Sequence, residues 1–216
     1  MFDLDGTLVD TVETRIASWL ATFEEAGITA DREFVAPMIG ADGKKLAREV
    51  SAAAGRKLTA DEEEHLDRRS GEIYDRLNTQ PRPIPGVRAF LTALTASDVP
   101  WAIATSSRRE QVATSVKALE LKKAPVIVDG THVKHAKPAP DLLLLAAERL
   151  SIKPAECGYV GDATWDMLAA RAAGMIAIGV PYGAASPRQL TDAGAQTVTT
   201  FRTLSADLRR RGLIKA

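Results

Sequence analysis

Four short groups of polar residues lie where the sequence leaves an apolar run or enters a turn. Their side chains are carboxylates, hydroxyls and an amine, which are the groups that bind metal ions and phosphate. They are Asp3 with Asp5, Thr105 with Ser106, Lys137, and Asp162 with Asp166. Taken singly, each has an ordinary explanation as a turn, a helix cap or a solvated lysine. Their succession along one chain favours a common site.

A site that collects several carboxylates and one amine has a defined chemistry. Carboxylates in close contact raise one another's pKa, and Mg²⁺ relieves this because it prefers oxygen ligands. One carboxylate then stays ionised and attacks phosphorus, while the amine neutralises charge and a hydroxyl holds the phosphoryl oxygens. Asp5 lies two residues after Asp3, on the same side of an extended strand. It is therefore placed to protonate the leaving oxygen.

The segments between these groups must bring them together. Apolar runs predict strands over residues 99–104, 125–128, 158–160, 175–180 and 197–199, and helices over 109–119, 141–150, 165–173 and 204–211. Asp141 is a candidate cap for the second of these helices. Strands that alternate with helices predict a parallel sheet covered on both faces. Ligands bind such sheets at the carboxyl ends of the strands, where all four polar groups fall.

Residues 12–80 follow a different pattern. Trp19, Leu20 and Phe23 recur at helical spacing, as do Leu46 and Val50, and no strand-like alternation is present. A proline-rich stretch follows before the strands begin. We expect this helical block to be an insert after the first strand.

Composition and charge limit the classes of function. The chain has 216 residues with 28 basic and 28 acidic side chains, which argues against a broad surface for nucleic acid. No apolar run approaches the roughly 20 residues that cross a membrane, and no signal peptide is predicted. Cys157 is the only cysteine, which fits a reducing compartment. We expect a cytoplasmic monomer or weak homodimer that binds a small phosphorylated substrate, with neither nucleic acid nor a membrane as partner.

The four groups resemble the motifs of the haloacid dehalogenase superfamily, in particular its phosphoglycolate phosphatase and β-phosphoglucomutase-like members with a helical cap. The motifs are Asp3-Leu4-Asp5-Gly6-Thr7, Thr105 after Ala-Ile-Ala, Lys137-Pro138-Ala139-Pro140-Asp141, and Gly161-Asp162-Ala163-Thr164-Trp165-Asp166. The resemblance covers essentially the whole chain. It implies an α/β fold, a Rossmann-like three-layer sandwich with a central parallel sheet, over residues 1–11 and 82–216. It also implies a small α-helical cap domain, residues 12–81, inserted after strand 1.

The resemblance implies a role for each position. Asp3 would be the nucleophile that forms an aspartyl-phosphate, and Asp5 would be the general acid and base. Mg²⁺ would be bound by Asp3, the backbone carbonyl of Asp5 and Asp162, while Asp166 would anchor a metal-bound water or the lysine. Phosphate would be bound by Gly6, Thr7, Thr105, Ser106 and Lys137.

The same motifs leave alternatives open. Dehalogenating members lack the second acid of the first motif, so Asp5 argues against dehalogenation. Phosphomutases carry both acids, but Thr7 favours a phosphatase that acts on phosphoglycolate or a sugar phosphate. A phosphomutase is therefore the alternative. A non-catalytic binding protein on the same scaffold is a third hypothesis, although every catalytic position has a competent residue.

Four further positions complete the expectations for the site. Lys44 falls where the cap would place its specificity loop, and it would either reach a second anionic group of the substrate or begin a solvated helix face. Arg108 and Arg109 follow Thr105, and we expect them to cap the next helix rather than contact phosphate. The sequence assigns no role to Trp165.

The first strand is unusually short. Only Met1 and Phe2 precede Asp3, whereas strands commonly have about five residues or more. Either this strand is truncated or the natural chain starts upstream of Met1. We expect a version extended by several apolar residues to be more stable, as measured by its melting temperature.

Overall fold

The computed structural model describes residues 1–215. The strands are β1 (Val9–Asp10), β2 (Arg82–Pro83), β3 (Ala102–Ala104), β4 (Val126–Val128), β5 (Gly158–Gly161), β6 (Ile176–Gly179) and β7 (Thr197–Val198). The helices are α1 (Val12–Glu25), α2 (Arg32–Val35), α3 (Gly43–Ala53), α4 (Ala60–Leu77), α5 (Val87–Ala96), α6 (Arg109–Ala118), α7 (Asp141–Leu150), α8 (Thr164–Ala172), α9 (Pro187–Asp192) and α10 (Phe201–Arg210). Within residues 1–215, none of the helices combines the length and the apolar character needed to cross a membrane.

A parallel sheet lies at the centre of the molecule. β3 pairs with β4, and β6 pairs with both β5 and β7, always in parallel. Phe2 joins these two groups, because it pairs with Ile103 of β3 on one side and with Val160 of β5 on the other. The order across the sheet is therefore β4, β3, the segment around Phe2, β5, β6 and β7. The N-terminal segment, short as it is, occupies the central position.

Side-chain alternation along the strands gives the sheet two apolar faces. Met1 and Ala102 belong to one cluster, which includes residues of α7, α8 and α9. Phe2 and Ile103 belong to the other, which includes residues of α5, α6 and α10. The result is three layers, with helices on both faces of a parallel sheet. The expected α/β class is confirmed.

Residues 12–77 contain α1 to α4 and are called the helical segment below. α1 and α3 both pack against α4. They enclose an apolar cluster that includes Ile16, Phe23 and Leu46. β1 and β2 pair antiparallel at its base, so the chain enters and leaves the helical segment side by side.

The start of α3 ties the helical segment to the sheet. Asp42 caps this helix, because its carboxylate accepts hydrogen bonds from the backbone N–H groups of Lys44 and Lys45. The other oxygen atom of Asp42 accepts from the backbone of Ala136 at 3.3 Å. The backbone N–H of Asp42 donates to the carbonyl of Lys137 at 2.8 Å. One residue thus fixes both the helix start and the turn that carries Lys137.

Several element boundaries differ from the sequence predictions. Asp141 is the first residue of α7 rather than its cap, and Pro140 occupies the cap position. The strand predicted over residues 99–104 begins only at Ala102, because the backbone N–H of Val99 bonds back to the end of α5. Four short or weakly patterned elements were not predicted, namely β1, β2, α5 and α9. Two-residue strands are too short to show a period.

Candidate active site

The carboxyl ends of the central strands bring together residues from distant parts of the chain. Asp3 follows the Phe2 pairing, Thr105 follows β3, and Asp162 follows β5. All three are at most 2% exposed. Lys137 comes from the turn before α7 and is fully buried. The structure thus assembles one residue from each of the four motifs.

Lys137 is the centre of a buried charge network. Its Nζ donates to Oδ1 of Asp3 at 2.6 Å, to Oδ1 of Asp166 at 2.7 Å and to the hydroxyl of Tyr159 at 3.3 Å. Burial alone would lower the pKa of Lys137, but the charges of Asp166 and Asp3 raise it. The amine therefore stays protonated. Tyr159 in turn donates to the carbonyl of Ala104 at 2.7 Å, which links this network to β3.

Asp3, Asp162 and Asp166 form a buried carboxylate cluster, with one oxygen atom of each within 4.8 Å of the others. Burial raises the pKa of Asp3 well above its usual value, although the charge of Lys137 opposes this. Burial and then the charge of Asp166 raise the pKa of Asp162 to about 7. Within residues 1–215, Lys137 is the only cation paired with this cluster. The donor set therefore suits a divalent cation that prefers oxygen ligands.

The carboxylates of the cluster differ in the oxygen atoms that remain free. Oδ1 of Asp166 accepts from Lys137, and Oδ2 accepts from the backbone of Ala163 at 2.9 Å. Asp166 therefore contacts the lysine directly, and its role in the reaction stays a prediction. Lys137 occupies Oδ1 of Asp3, and no donor within residues 1–215 bonds its Oδ2. That oxygen atom is left for a metal ion or a phosphorus atom.

Gly6 and Thr7 support Asp162 rather than line the cavity. The hydroxyl of Thr7 donates to Oδ1 of Asp162 at 2.6 Å. Gly6 has a φ of +79°, and a Cβ there would lie 2.3 Å from Oδ2 of Asp162. The backbone N–H of Gly6 is used within the turn, where it donates to Val9. The N–H of Gly6 and the hydroxyl of Thr7 therefore already have partners within the protein, and a contact of either residue with phosphate stays a prediction.

Four donors hold Asp5. Thr11 and Tyr74 donate to Oδ1 at 2.6 and 2.9 Å, while Arg15 and Ser107 donate to Oδ2 at 2.8 and 2.6 Å. Burial would raise the pKa of Asp5, but the charge of Arg15 and the hydrogen bonds from Ser107, Thr11 and Arg15 lower it to about 2. Arg15 and Tyr74 belong to the helical segment. The surroundings of Asp5 therefore depend on where that segment lies.

A cavity of about 50 Å³ lies between the helical segment and the strand ends. One water molecule requires about 10–15 Å³ by the same kind of measure, so the space accommodates only a few atoms. The strand ends contribute Asp3, Asp5, Thr105, Ser106, Ser107 and Lys137 to its wall. Opposite them, the helical segment contributes Arg15, Trp19, Ile39, Leu46, Asp67 and Ser70 among others.

Polar contacts close the cavity. Ser106 donates its hydroxyl to the carbonyl of Gly40 at 3.1 Å, and the indole N–H of Trp165 donates to the carbonyl of Pro37 at 2.8 Å. Arg108 donates to Asp67 and to Glu64 of α4, each at 2.7 Å. These contacts, together with those of Asp42, hold the helical segment against the sheet.

The structure places two of the basic residues considered from the sequence. Arg108 occupies the N-cap position of α6, as expected, but its side chain makes no capping bond there, because its guanidinium reaches across to α4 instead. Lys44 is not brought to the cavity. Its side chain is 40% exposed, and its Nζ lies 3.9 Å from Glu64. Of the two expectations for Lys44, the structure places it on a solvated helix face.

The family is decided by comparison with known proteins. The family model described as haloacid dehalogenase-like hydrolase matches residues 1–180. The chain belongs to the haloacid dehalogenase-like hydrolases. The expected superfamily is confirmed.

Relatives of this hydrolase include a mutase and a phosphatase. It is 30% identical to β-phosphoglucomutase of Bacillus subtilis over 188 residues, covering 85% of this chain and 83% of the relative. It is 31% identical to phosphoglycolate phosphatase of Escherichia coli O157:H7 over 212 residues, covering 84% and 80%. The crystal structure of a hydrolase from Pseudomonas syringae has a TM-score of 0.87 and 34% identity, covering 91% of this chain and 90% of that one. The expected enzyme class, a phosphoric monoester hydrolase, is confirmed.

Several residues of the hydrolase site were missed from the sequence. Arg15 lies four residues before Trp19 and is buried on the same face of α1, so its position within an apolar helical stripe was the available signal. Ser107 directly follows Ser106 in the same loop, so its position beside a predicted site residue was the available signal. Asp67, Tyr74 and Gln111 lie on long helices, where no motif distinguishes them from other polar residues.

Proposed function

We propose that this hydrolase is a Mg²⁺-dependent phosphatase that acts on a small phosphorylated metabolite through an aspartyl-phosphate on Asp3. The observation that carries the proposal is the position of Lys137, whose Nζ lies 2.6 Å from Asp3 and 2.7 Å from Asp166. A fixed positive charge beside a buried carboxylate favours its ionised form and attracts a phosphate dianion. Both are requirements of a nucleophile that attacks phosphorus.

The residues present fit a bound Mg²⁺. Asp3, Asp162 and the backbone carbonyl of Asp5 would hold it, and the ion when bound would supply positive charge that offsets the carboxylates and polarises a phosphoryl oxygen. Lys137 and the hydroxyl of Thr105 would bind other phosphoryl oxygens. The raised pKa values of Asp3 and Asp162 support this assignment, because a cation would relieve the cost of ionising both.

The reaction would proceed in two displacements. Oδ2 of Asp3 attacks phosphorus, the ester P–O bond breaks, and Asp5 gives its proton to the leaving alcohol oxygen. Asp5 then removes a proton from a water molecule whose oxygen attacks the same phosphorus. The bond between Asp3 and phosphorus breaks, inorganic phosphate leaves, and both carboxyl groups return to their initial states.

The helical segment would control this proton transfer as a cap domain, residues 12–81, over a core of residues 1–11 and 82–216. In the conformation described above, the charge of Arg15 holds Asp5 ionised, and Tyr74 donates a hydrogen bond to it. Asp5 must exchange these partners before it carries a proton. Because both partners lie on the helical segment, movement of that segment changes the donors around Asp5.

Mg²⁺-dependent release of inorganic phosphate from p-nitrophenyl phosphate tests the proposal. Asp3→Asn should reduce the rate to background, because an amide is not a nucleophile toward phosphorus. Asp10→Asn is the matched control, since Asp10 is exposed and lies in the same stretch of chain. Wild-type activity in Asp3→Asn, or full activity in the presence of a chelator, would show the proposal to be wrong. Loss of activity in Asp3→Asn, with activity in the wild type, would also exclude a non-catalytic role for this protein.

A phosphomutase is the second candidate, because a relative 30% identical to this chain is named β-phosphoglucomutase. A mutase returns its phosphoryl group to a sugar phosphate, whereas a phosphatase gives it to water. We expect inorganic phosphate to form in one-to-one ratio with dephosphorylated alcohol. Isomerised sugar phosphate that forms faster than inorganic phosphate, and only with a bisphosphate primer, would favour the mutase.

A further inference from the structure

The wall of the cavity opposite Lys137 has no unpaired positive charge within residues 1–215. Arg15 is the only basic residue of that wall, and its guanidinium lies 2.8 Å from Asp5. Arg108, behind the wall, is paired with Asp67 and Glu64. A second anionic group on the substrate would therefore meet no free cation.

The helical segment and α6 together offer free hydrogen-bonding atoms of both kinds around the same cavity. Arg108 directs both of its hydrogen bonds with Asp67 to Oδ2, at 2.8 and 2.7 Å, so Oδ1 has no donor among the described residues. Arg15 occupies Oε1 of Gln111 at 2.7 Å, and this leaves the Nε2 of Gln111 without an acceptor in the described chain. Ser70 adds a hydroxyl, which also contacts the hydroxyl of Ser18 at 3.3 Å. A carboxylate oxygen, an amide N–H and a hydroxyl together match the donor and acceptor capacity of alcohol groups.

Two cavity-lining glycines make room for these free atoms. A Cβ on Gly43 would lie 1.8 Å from Oδ1 of Asp67, and a Cβ on Gly71 would lie 2.1 Å from Nε2 of Gln111. Both glycines line the same cavity. The free atoms of Asp67 and Gln111 therefore lie at the cavity wall, in positions that any larger residue at 43 or 71 would block.

We infer that the alcohol released by this enzyme is compact, uncharged and hydroxylated, as in a polyol or sugar monophosphate, and that Asp67 and Gln111 select it. Asp67 accepts a hydrogen bond from one hydroxyl of the substrate, and Gln111 donates to another. A carboxylate at the same place would face Asp67 without a compensating cation. This inference rests on the proposed phosphatase activity. It favours a polyol or sugar monophosphate over phosphoglycolate as the substrate.

A pair of substrates of equal size tests the inference. sn-Glycerol 3-phosphate and 3-phosphoglycerate differ by a CH₂OH group in one and a carboxylate in the other. With Mg²⁺, we expect kcat/KM for sn-glycerol 3-phosphate to be at least about tenfold higher, because polar sites reject ligands that leave their groups unpaired. Hydrolysis of p-nitrophenyl phosphate is measured in parallel. If that ester is not hydrolysed, the proposed function fails, whereas its hydrolysis with equal or better turnover of 3-phosphoglycerate overturns the substrate inference alone.

Variants identify the selecting residues. Asp67→Asn removes the carboxylate and leaves Arg108 with Glu64 as its remaining acidic partner, so the preference for sn-glycerol 3-phosphate should fall by about tenfold or more. Glu64→Gln is the matched control, because Glu64 pairs with the same Arg108 but does not line the cavity, and its preference should be that of the wild type. Gln111→Leu should lower kcat/KM for sn-glycerol 3-phosphate about tenfold more than for p-nitrophenyl phosphate. If circular dichroism shows both variants to be folded, an equal preference for sn-glycerol 3-phosphate in Asp67→Asn and Glu64→Gln would contradict the role of Asp67.

Discussion

Replacement of Arg15 by methionine removes the charge that keeps Asp5 ionised. The two side chains are only 11% and 8% exposed and lie 2.8 Å apart. The guanidinium also lies 3.4 Å from the centre of the Tyr74 ring. Methionine retains much of the apolar stem, so Arg15→Met tests the charge more than the packing. Asp5 would then be a buried carboxylate whose remaining partners are neutral.

The magnitude follows from the pKa of Asp5. This pKa is about 2, against 3.8 for an ordinary aspartate. At about 1.4 kcal/mol per pKa unit, the folded surroundings contribute roughly 2 kcal/mol of stability. Breaking a buried ion pair commonly costs about 3–5 kcal/mol, because one charge is left uncompensated. We therefore expect Arg15→Met to lose about 3 kcal/mol of unfolding free energy at pH 7.

The loss depends on pH in a defined direction. Because the folded pKa of Asp5 is lowered, its contribution is complete above pH 3.8 and disappears as the pH falls through about 2. Without Arg15, burial raises the pKa of Asp5, so the variant avoids the buried charge by protonation as the solution becomes acidic. The difference between wild type and variant should therefore be largest near neutral pH and shrink towards low pH.

Urea unfolding in a double-mutant cycle with Asp5→Asn measures this contribution. Arg15→Met should cost about 2 kcal/mol less in the Asp5→Asn background than in the wild type, because the ion pair is already absent there. All four proteins are measured without Mg²⁺ at several pH values, so that metal binding does not contribute. An equal cost in both backgrounds, or a cost that does not change with pH, would refute the assignment of the lowered pKa to Arg15.

Two further predictions follow from the described contacts. Lys137→Met should lower kcat/KM for p-nitrophenyl phosphate about 10²–10³-fold, because it removes the charge beside Asp3; a loss no larger than that in Asp10→Asn would contradict this. Gly6→Ala should cost more than about 1 kcal/mol and weaken Mg²⁺ binding, because the added Cβ displaces Asp162; unchanged Mg²⁺ affinity by calorimetry would disprove the coupling.

The sequence allowed the centre of the site to be predicted, and the limits of that prediction are physical. Asp3, Thr105 and Asp162 were predictable because each follows an apolar run, and parallel strands bring such ends to one edge. Lys137 was predictable only by its motif, since its turn has no periodic pattern. The strands of the sheet were predictable because their apolar runs alternate with helices, whereas β1 and β2 lie outside that alternation.

The part of the site contributed by the helical segment was not predictable. Helical periodicity indicates that Arg15 and Tyr74 share buried faces with apolar residues, but not that those faces meet Asp5. Lys44 shows the same limit, because its predicted place in a loop did not determine the direction of its side chain. Contacts between the helical segment and the strand ends depend on how the two pack together, and local sequence patterns do not encode that arrangement.

The fluorescence of Trp165 can report the position of the helical segment. Its indole N–H bonds to Pro37, and the Nζ of Lys45 lies 5.6 Å from its ring centre, so both neighbours belong to the part that would move. Separation of the layers would replace these neighbours with water and change the emission of the indole. The other tryptophans, Trp19 and Trp101, can be replaced by phenylalanine to leave a single fluorophore. Stopped-flow fluorescence would then time the approach and departure of the helical segment during turnover without any added dye.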